Sequence, residues 1–411
     1  MQGNSAVIRR ALPFHYGWVV VGTGTLAIFA ALGLGRFALG MLLPSMAASL
    51  PLSYDEMGYI GTGNFIGYLF AVLVSGRLAG RIGARRMIAG GLLLVGGSML
   101  LVGRAEGYWP VLLLYVATGL GSATANVPVM GLVSHWFARR HRGKAAGFIV
   151  IGSGFAIVFT GLAIPAINAA VGAEGWRLGW TLIGVLSVAA GLTAAVLLRN
   201  HPAEMGLRPA GAEAVTAESG PSAAPLSPPR HILAQLGAIY SLFGFGYVIY
   251  ATFIVTTLVK ERGFSEADAG QVWAWIGLFS LFSGPGLGIL SDRLGRKAAL
   301  IIVFTCQAAA YLLVALPLPE PLVYLSVALY GLVAWSVPGI MAAAVGDYLG
   351  PGRAVAAFGT VTLFFGIGQI CGPALAGVLA KSSGSFALSY VIAALSALMA
   401  LTLATRLPRT A

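Results

Sequence analysis

Charged and polar side chains inside long apolar runs are the residues of this sequence whose chemistry needs an explanation. Arg36 stands well inside the first run, in Ala-Leu-Gly-Leu-Gly-Arg-Phe over residues 31–37. An arginine at the centre of a membrane helix costs at least about 2.5–3.5 kcal/mol and is retained only with a partner or a wet cavity. Its planar guanidinium suits a carboxylate, so we interpret Arg36 as a cavity-facing, anion-attracting group. The alternatives are snorkelling toward the interface, or pairing with carbonyls near a helix break at Gly33 and Gly35.

Other apolar runs contain uncharged polar groups that need partners in the same way. Asn64 and Tyr68 are spaced i to i+4 and share one helix face. Such groups serve either as substrate ligands or as interhelical hydrogen bonds, and aromatic side chains also serve as packing. The set that we predict to bind substrate is Arg36, Asn64, Tyr68, Asn126, Tyr247, Tyr250 and Gln369.

A compact basic loop, Gly-Ile-Leu-Ser-Asp-Arg-Leu-Gly-Arg-Lys over residues 288–297, has an altered copy over residues 76–86. An offset of 212 residues pairs Gly83 with Gly295. The same offset pairs Gly80 with Asp292, Ser53 with Ser265, Gly58 with Gly270, and Gly147 with Gly359. The chain is therefore an internal duplication. Duplicated multi-helix hydrophobic units are typical of secondary transporters, in which the substrate lies between the halves.

The loop pattern Gly-x-Leu-Ser-Asp-Arg-x-Gly-Arg-Lys, between the second and third apolar runs of a half, resembles the signature loop of the major facilitator superfamily. The resemblance covers nearly the whole chain. The opening His-Tyr-Gly-Trp at residues 15–18 and the segment from Gly35 to Pro44 resemble bacterial branches that include monocarboxylate and oxalate carriers and their uncharacterised relatives. The resemblance implies two pseudo-symmetric six-helix bundles that work by alternating access.

This loop also predicts a cytoplasmic latch. Asp292 can accept from a helix N-terminus, and Asp347 can pair with Arg293 or Arg296. The predicted gating residues are therefore Asp292, Arg293, Arg296 and Asp347. The latch should be asymmetric, because Gly80 and His135 stand at the first-half positions of the two acids. We interpret His135 as an interfacial histidine, with a pH sensor as the alternative.

Composition alone indicates an integral membrane protein. Of the 411 residues 58% are hydrophobic and only 9% charged, whereas soluble domains are about 25% charged. The mean hydropathy is +0.87. A net charge of +12 would suggest nucleic acid in a soluble protein, but here the cations lie in short loops between apolar runs. We therefore expect the lipid bilayer and a small molecule as partners, and no nucleic acid.

Twelve apolar runs are long enough to span a bilayer, which needs roughly 20 helical residues. They predict an all-α membrane protein with twelve transmembrane helices. The predicted spans are 16–46, 54–76, 87–103, 109–135, 144–170, 177–199, 231–259, 267–290, 298–316, 320–346, 354–380 and 385–406. Among the loop cations, only Arg104, Arg177, Lys260, Arg262 and Lys381 fall on one side of the membrane. The opposite, cation-rich side is the cytoplasm by the positive-inside rule, which places both termini there. The resemblance to bacterial branches of the superfamily implies a bacterial inner membrane.

The domain prediction follows the duplication. Residues 1–199 form an N-terminal six-helix bundle, residues 231–411 form a C-terminal one, and residues 200–230 form a proline-rich cytoplasmic linker. The two cysteines, Cys306 and Cys371, lie in apolar runs, so neither a disulfide nor a thiolate metal site is expected.

No motif for catalysis or for a nucleotide is present in the sequence. There is no Walker loop, no His-Glu-x-x-His, no Cys-x-x-Cys and no Gly-x-Ser-x-Gly. We therefore predict no enzyme activity, no cofactor and no metal. Residues 161–165 also fail to match the Gly-Pro-x-x-Gly-Gly pattern of many drug–proton antiporters of the superfamily, which weakens an export role.

These observations predict a monomeric secondary transporter that moves a small organic anion, a monocarboxylate being the leading candidate, with proton symport as the favoured coupling. All thirteen acidic residues fall in loops or at helix ends, which disfavours cationic substrates and leaves facilitated diffusion or anion exchange open. The alternatives are a proton-coupled exporter of amphipathic compounds or drugs, and a membrane receptor that does not transport.

Overall fold

The computed structural model describes residues 14–211, 230–350 and 354–408, and these residues are helical almost throughout. They contain twelve helices that are long and apolar enough to cross a membrane, which confirms the predicted fold class. The helices are α1 Gly17–Ser49, α2 Tyr54–Ile82, α3 Ala84–Val102, α4 Tyr108–Trp136, α5 Arg139–Val171, α6 Gly175–Leu197, α7 Arg230–Lys260, α8 Glu266–Leu294, α9 Arg296–Ala315, α10 Glu320–Leu349, α11 Ala354–Ser383 and α12 Ala387–Thr405.

Two of these helices are not regular along their whole length. α1 is α-helical over Gly17–Ile28 and Ala38–Ser49, and the residues between, Phe29–Phe37, wind as a π-helix. α10 is interrupted between Glu320–Val333 and Ser336–Leu349. Pro338 follows this interruption, and a proline cannot donate the backbone hydrogen bond that would continue the preceding turn.

The internal duplication is visible in the backbone of the two basic loops. Gly83 ends α2 and opens α3 with a φ of 84°, and Gly295 ends α8 and opens α9 with a φ of 86°. Both values lie in the region that glycine adopts without a steric cost. The same sharp reversal is therefore made at both positions related by the offset of 212 residues.

The first part of the predicted linker is held against the first half of the chain. A short 3₁₀ turn covers Pro202–Met205. Beyond it, Ala210 N–H donates to the Trp136 carbonyl at 2.8 Å, and Ala138 N–H donates to the Ala210 carbonyl at 3.0 Å. Residues 212–229 of the linker lie outside the described residues, as do the loop cations Arg9, Arg10, Arg353 and Arg409.

By packing, the chain forms two compact units. The described part of the first comprises residues 14–38, 66–156 and 177–211, and that of the second comprises residues 39–65, 157–176, 230–350 and 354–408. Segments of α1, α2 and α5 therefore pack with the second half of the chain. The two units are defined by contacts between residues, whereas the predicted bundles are defined by the sequence duplication. The boundaries of the bundles therefore stay a prediction.

Candidate functional site

Arg36 is presented by the π-helical segment of α1, where the helix approaches two neighbours very closely. A Cβ atom on Gly33 would lie 2.1 Å from the Ala156 Cβ atom, and one on Gly35 would lie 2.8 Å from the Ser122 Oγ atom. Only glycine permits this approach of α1 to α5 and α4. Single π-helical turns within α-helices are frequent at functional sites.

The widened turn keeps its carbonyl groups satisfied by side chains of α4. Ser122 Oγ donates to the Ala31 carbonyl at 2.6 Å, and Tyr115 Oη donates to the Arg36 carbonyl at 2.9 Å. Carbonyl groups without partners are costly in an apolar interior, so these two hydroxyls stabilise the π-helical winding. They also fix the backbone from which the Arg36 side chain projects.

The guanidinium of Arg36 lies over the ring of Tyr68, with its carbon atom 4.2 Å from the ring centroid. The Tyr68 hydroxyl in turn accepts from Asn126 Nδ2 at 2.7 Å. All three residues are partly exposed, and the Arg36 Nε and Nη2 atoms are buried. The structure thus brings together three of the predicted ligands, from α1, α2 and α4, and we call them the Arg36 cluster.

Asn64 lies one helical turn before Tyr68 on α2, as predicted, and its side chain is buried with 1% exposure. By packing it falls in the second compact unit, whereas Tyr68 falls in the first. Substrate binding and an interhelical hydrogen bond therefore both stay open for Asn64.

The second unit contains a different arrangement on α7, α10 and α11. Gln369 Nε2 donates to the Tyr247 hydroxyl, and the Trp335 ring meets the Tyr247 ring edge-on with centroids 5.8 Å apart. Tyr330 Oη donates to the backbone carbonyl of Tyr247 at 3.0 Å. Tyr247 and Gln369 are each 2% exposed. We call Tyr247, Gln369 and Trp335 the Tyr247 cluster.

Close backbone approach again positions this cluster. A Cβ atom on Gly244 of α7 would lie 2.5 Å from the Phe365 carbonyl oxygen, and one on Gly368 of α11 would lie 2.0 Å from the Ser241 carbonyl oxygen. Glycines on both helices therefore let α7 and α11 pack backbone to backbone. The short separation brings Gln369 within hydrogen-bonding reach of Tyr247.

Tyr250 is placed apart from the Gln369 interaction. Its side chain is fully buried, its hydroxyl lies 2.8 Å from Ser326 Oγ, and its ring stacks on Tyr330 with centroids 4.1 Å apart. Ser326 Oγ also donates to the Ala310 carbonyl. These contacts describe packing within the second unit, and a role of Tyr250 in substrate binding stays a prediction.

Three of the four predicted gating residues, Asp292, Arg296 and Asp347, form an ionic triad in the second unit. Arg296 Nε lies 2.7 Å from Asp347 Oδ2, and Arg296 Nη1 lies 2.5 Å from Asp292 Oδ1. Of the two arginines proposed as partners for Asp347, the structure selects Arg296, and Arg293 is exposed. The triad ties the start of α9 to the ends of α8 and α10.

At the other ends of its helices the second unit shows contacts that the sequence did not indicate. Lys381 Nζ of α11 lies 2.8 Å from Asp55 Oδ2 of α2, and Asn168 Nδ2 of α5 donates to Glu266 Oε2 of α8 at 2.8 Å. Glycines meet backbone beside both pairs. A Cβ atom on Gly58 would lie 2.4 Å from the Pro373 carbonyl oxygen, and one on Gly270 would lie 2.3 Å from the Gly161 carbonyl oxygen.

A family model described as "Uncharacterised MFS-type transporter YbfB" matches residues 28–405, nearly the whole chain. The chain belongs to this family of major facilitator superfamily (MFS) transporters. It is therefore a multi-pass membrane protein that transports small molecules, and not an enzyme.

Individual relatives of this MFS transporter cover most of its length. It is 27% identical to monocarboxylate transporter 11 of Mus musculus, covering 92% of this chain and 84% of that one. It is 24% identical to the hexuronate transporter of Bacillus subtilis, covering 88% and 87% respectively. Among solved structures, the nucleoside transporter NupG superposes with a TM-score of 0.72 at 15% identity, over 95% of this chain and 98% of that one, which shows the shared fold.

Several residues of this MFS transporter that shape the clusters were absent from the predicted set. Tyr115, Ser122 and Trp335 act through contacts between distant helices, for which the sequence gives no direct signal. Ser122 stands in the small-residue stretch Gly-Leu-Gly-Ser at 119–122, and such stretches mark close helix packing. In the described part of the chain no group of three or more metal-ligating side chains occurs.

Proposed function

We propose that this transporter carries a small organic anion, with a monocarboxylate as the leading candidate, across the bacterial inner membrane by alternating access. In this proposal the protein is a monomer with two six-helix bundles and both termini in the cytoplasm. The observation that carries the proposal is the guanidinium of Arg36, which lies over the face of Tyr68 from within a membrane-spanning helix.

The chemistry of this contact supports an anionic substrate. A cation over an aromatic face gains about 0.5–2 kcal/mol, which offsets part of the cost of placing arginine inside a membrane helix. The planar guanidinium carries N–H donors whose geometry matches the two oxygens of a carboxylate. Tyr68 is itself oriented by Asn126, so the aromatic surface under the cation is fixed.

The Tyr247 cluster of the second unit offers uncharged groups that we propose as further substrate ligands. A hydroxyl and an amide can hydrogen-bond polar atoms of the substrate, and Trp335 offers an apolar edge. The names of two relatives, a monocarboxylate transporter and a hexuronate transporter, both denote substrates with a carboxylate group. This chemistry is what the charged Arg36 cluster would recognise.

Symport with a proton is part of the proposal. In the described part of the chain the carboxylates lie in loops or near helix ends, so no acid stands beside Arg36 along α1. Proton movement would then depend on groups near the helix ends or on the substrate itself. Uptake driven by an imposed pH gradient, compared with uptake at equal pH, decides between symport and uniport or exchange.

The deciding experiment is counterflow in proteoliposomes. Vesicles preloaded with unlabelled acetate, lactate, pyruvate, oxalate or glucuronate are diluted into labelled forms of the same compounds, with the nucleoside uridine and the sugar glucose as uncharged controls. Accumulation of at least one carboxylate, and of neither control, is expected. Counterflow of uridine or glucose without any carboxylate would refute the anion proposal.

Export of amphipathic compounds is the second candidate, and one feature favours it. The rings of Tyr240, Phe243, Tyr247 and Phe365 lie nearly parallel, with interplanar angles of 10–13°. Such a stack could receive a flat hydrophobic ligand, although its three α7 members are 2–3% exposed. Efflux of ethidium from loaded vesicles, without carboxylate counterflow, would select this alternative.

A further inference from the structure

The first unit contains a cavity of about 410 Å³ at the position that corresponds to the ionic triad of the second unit. The offset of 212 residues places Gly80 at the position of Asp292, Ala84 at that of Arg296 and His135 at that of Asp347. All three of these first-half residues line the cavity. The three linked charged side chains of the second half are thus replaced by two small residues and a histidine, which surround a cavity.

Two imidazole rings face each other in this cavity. His135, at the end of α4, and His201, after α6, have ring centroids 4.7 Å apart and planes inclined by 36°. Both side chains are exposed. Because both rings line the same cavity, a small ligand there could contact both imidazoles at once. A single histidine at the membrane interface could not offer two imidazoles.

The segment that carries His201 is held in place by backbone hydrogen bonds. Asn200 Oδ1 accepts from the Arg85 N–H at 2.9 Å, and the Asn200 N–H donates to Glu204 Oε1 at 3.1 Å. Glu204 N–H donates to the His201 carbonyl, and Leu207 N–H to the Pro202 carbonyl. The second imidazole therefore belongs to an ordered wall of the cavity.

The described surroundings of the histidine pair are mostly positive. Arg85 follows Ala84 in the first turn of α3, and its guanidinium donates to the Ala195 carbonyl of α6. Arg142 of α5 donates to the carbonyls of Ser134 and Phe137 near His135, and neither arginine lines the cavity. Arg81 follows Gly80 on α2. Glu204 is the acid on the segment that carries His201. The N-terminus of α3 at Gly83 adds a positive dipole end.

We propose that this cavity is a second ligand site, which binds a small oxyanion of the carboxylate or phosphate class between His135 and His201. In the second unit Arg296 joins two protein carboxylates. In the first unit the protein would supply the positive partners and the ligand the negative one, so a bound anion would tie α2 and α3 to α4. The site is separate from the Arg36 cluster and does not depend on the transported substrate.

The proposal implies that binding depends on pH. A protonated imidazole is positively charged and donates from both ring nitrogens, so an oxyanion should bind more tightly at about pH 6 than at about pH 8. Among the described residues that line the cavity, His135 and His201 are the titratable ones. A metal ion between the imidazoles is disfavoured by the arginines nearby.

The test is the binding of sulfate to the purified full-length protein in detergent, by calorimetry at constant ionic strength. Sulfate keeps its charge from pH 6 to 8, so a change in affinity reports on the protein. We expect saturable binding at pH 6 that weakens about tenfold or more at pH 8. Either His135→Ala or His201→Ala should weaken it at least about tenfold, and His201 lies outside the helices, so its variant should keep the fold.

Matched variants locate the site. His231→Ala, which removes an exposed histidine at the start of α7, should bind sulfate like the wild type, and so should Arg36→Gln. The triple variant Gly80→Asp, Ala84→Arg, His135→Asp rebuilds the second-half triad and should lose binding. The proposal is overturned if wild type binds no sulfate at pH 6, or if both single histidine variants bind it normally. It is also overturned if Arg36→Gln alone abolishes binding, or if Zn²⁺ binds saturably where sulfate does not.

The anion could be a soluble molecule or a lipid headgroup, and nanodiscs distinguish these sources. Sulfate affinity is compared in nanodiscs of phosphatidylcholine alone and of phosphatidylcholine with phosphatidylglycerol. Competition by phosphatidylglycerol that disappears in His201→Ala assigns the site to a headgroup phosphate. Equal sulfate affinity in both lipid mixtures assigns it to a soluble anion, and both results support the site.

Discussion

The Arg36 cluster and the Tyr247 cluster solve the same structural problem with opposite chemistry. Each lies where glycines bring helices into close contact, and in each a tyrosine hydroxyl accepts from a side-chain amide, Asn126 in one case and Gln369 in the other. The first cluster adds a cation and is partly exposed, whereas the second is uncharged and nearly buried. The two halves of a duplicated scaffold can therefore carry clusters that differ in charge and in exposure.

The largest effect is expected from removing the charge of the first cluster. Arg36→Gln should weaken carboxylate binding roughly ten- to hundredfold, because a charge-assisted hydrogen bond contributes about 1.5–3 kcal/mol. Arg36→Lys should keep part of the affinity through its point charge and lose the paired geometry. Equilibrium binding of the carboxylate found by counterflow is the measurement, with the yield of folded protein as the control. If Arg36→Gln unfolds the protein while the folded fraction binds normally, the arginine is structural.

The second effect distinguishes the close helix contact at Gly33 in the first unit from the one at Gly244 in the second unit. In Gly33→Ala the new methyl would meet the Ala156 Cβ atom, and overpacking of this kind costs about 1–3 kcal/mol. The double variant Gly33→Ala, Ala156→Gly should recover most of the loss. Gly244→Ala in the second unit meets the Phe365 backbone oxygen, for which no side-chain truncation can compensate. Thermal unfolding measures all three, and a failure of the double variant to recover contradicts the packing account.

A smaller effect is expected in the uncharged cluster. Tyr247→Phe removes the acceptor of the Gln369 amide and a hydroxyl that we propose as a substrate ligand. Hydrogen bonds inside membrane proteins average about 0.6 kcal/mol, so the loss of one such bond to the substrate should lower the affinity about threefold. Tyr250→Phe is the matched variant, because it removes one buried hydroxyl on the same helix. An equal loss in both variants would support Tyr250 as a ligand. A loss in neither would remove α7 from the proposed binding site.

The smallest effect concerns the latch. Asp292 has a side-chain exposure of 68%, and exposed ion pairs contribute about 0–1 kcal/mol. Asp292→Asn should therefore raise the labelling of cysteines placed near Arg36 from the cytoplasmic side by no more than about fivefold. Gly80→Asp should lower it, by adding the missing first-half acid. Unchanged labelling in both variants would contradict an asymmetric latch.

The sequence predicted the parts of the fold that depend on composition and local spacing. Twelve apolar runs became twelve helices, and the two basic loops became equivalent glycine reversals, because hydrophobic length and glycine placement act locally. The i to i+4 spacing correctly placed Asn64 one turn before Tyr68. The helix break expected at Gly33 and Gly35 is instead a continuous π-helical turn, since hydroxyls from α4 satisfy its widened carbonyls.

The remaining features depend on pairings between distant segments. The contact between Arg36 and Tyr68 joins two helices, and no periodicity in either one specifies it. The alignment of the two halves showed that Gly80 and His135 replace the two acids. It did not show the cavity, because His201, which also lines it, comes from the segment after α6. Spacing along one helix is set by its geometry, whereas contacts between helices are set by packing of the whole bundle.

The glycine contacts of Gly58 and Gly270 have a consequence for conformational entropy. A glycine has no rotamers to lose, so helices that meet through glycine and backbone give up almost no side-chain freedom on contact. The longer side chains that become ordered there include those of Lys381, Asn168 and their partners. Forming or breaking the helix contacts at Gly58 and Gly270 should thus carry a small change in side-chain entropy. A conformation with these contacts and one without them could then stay within a few kcal/mol of each other. The fraction of molecules in the binding-competent conformation then scales the measured affinity directly.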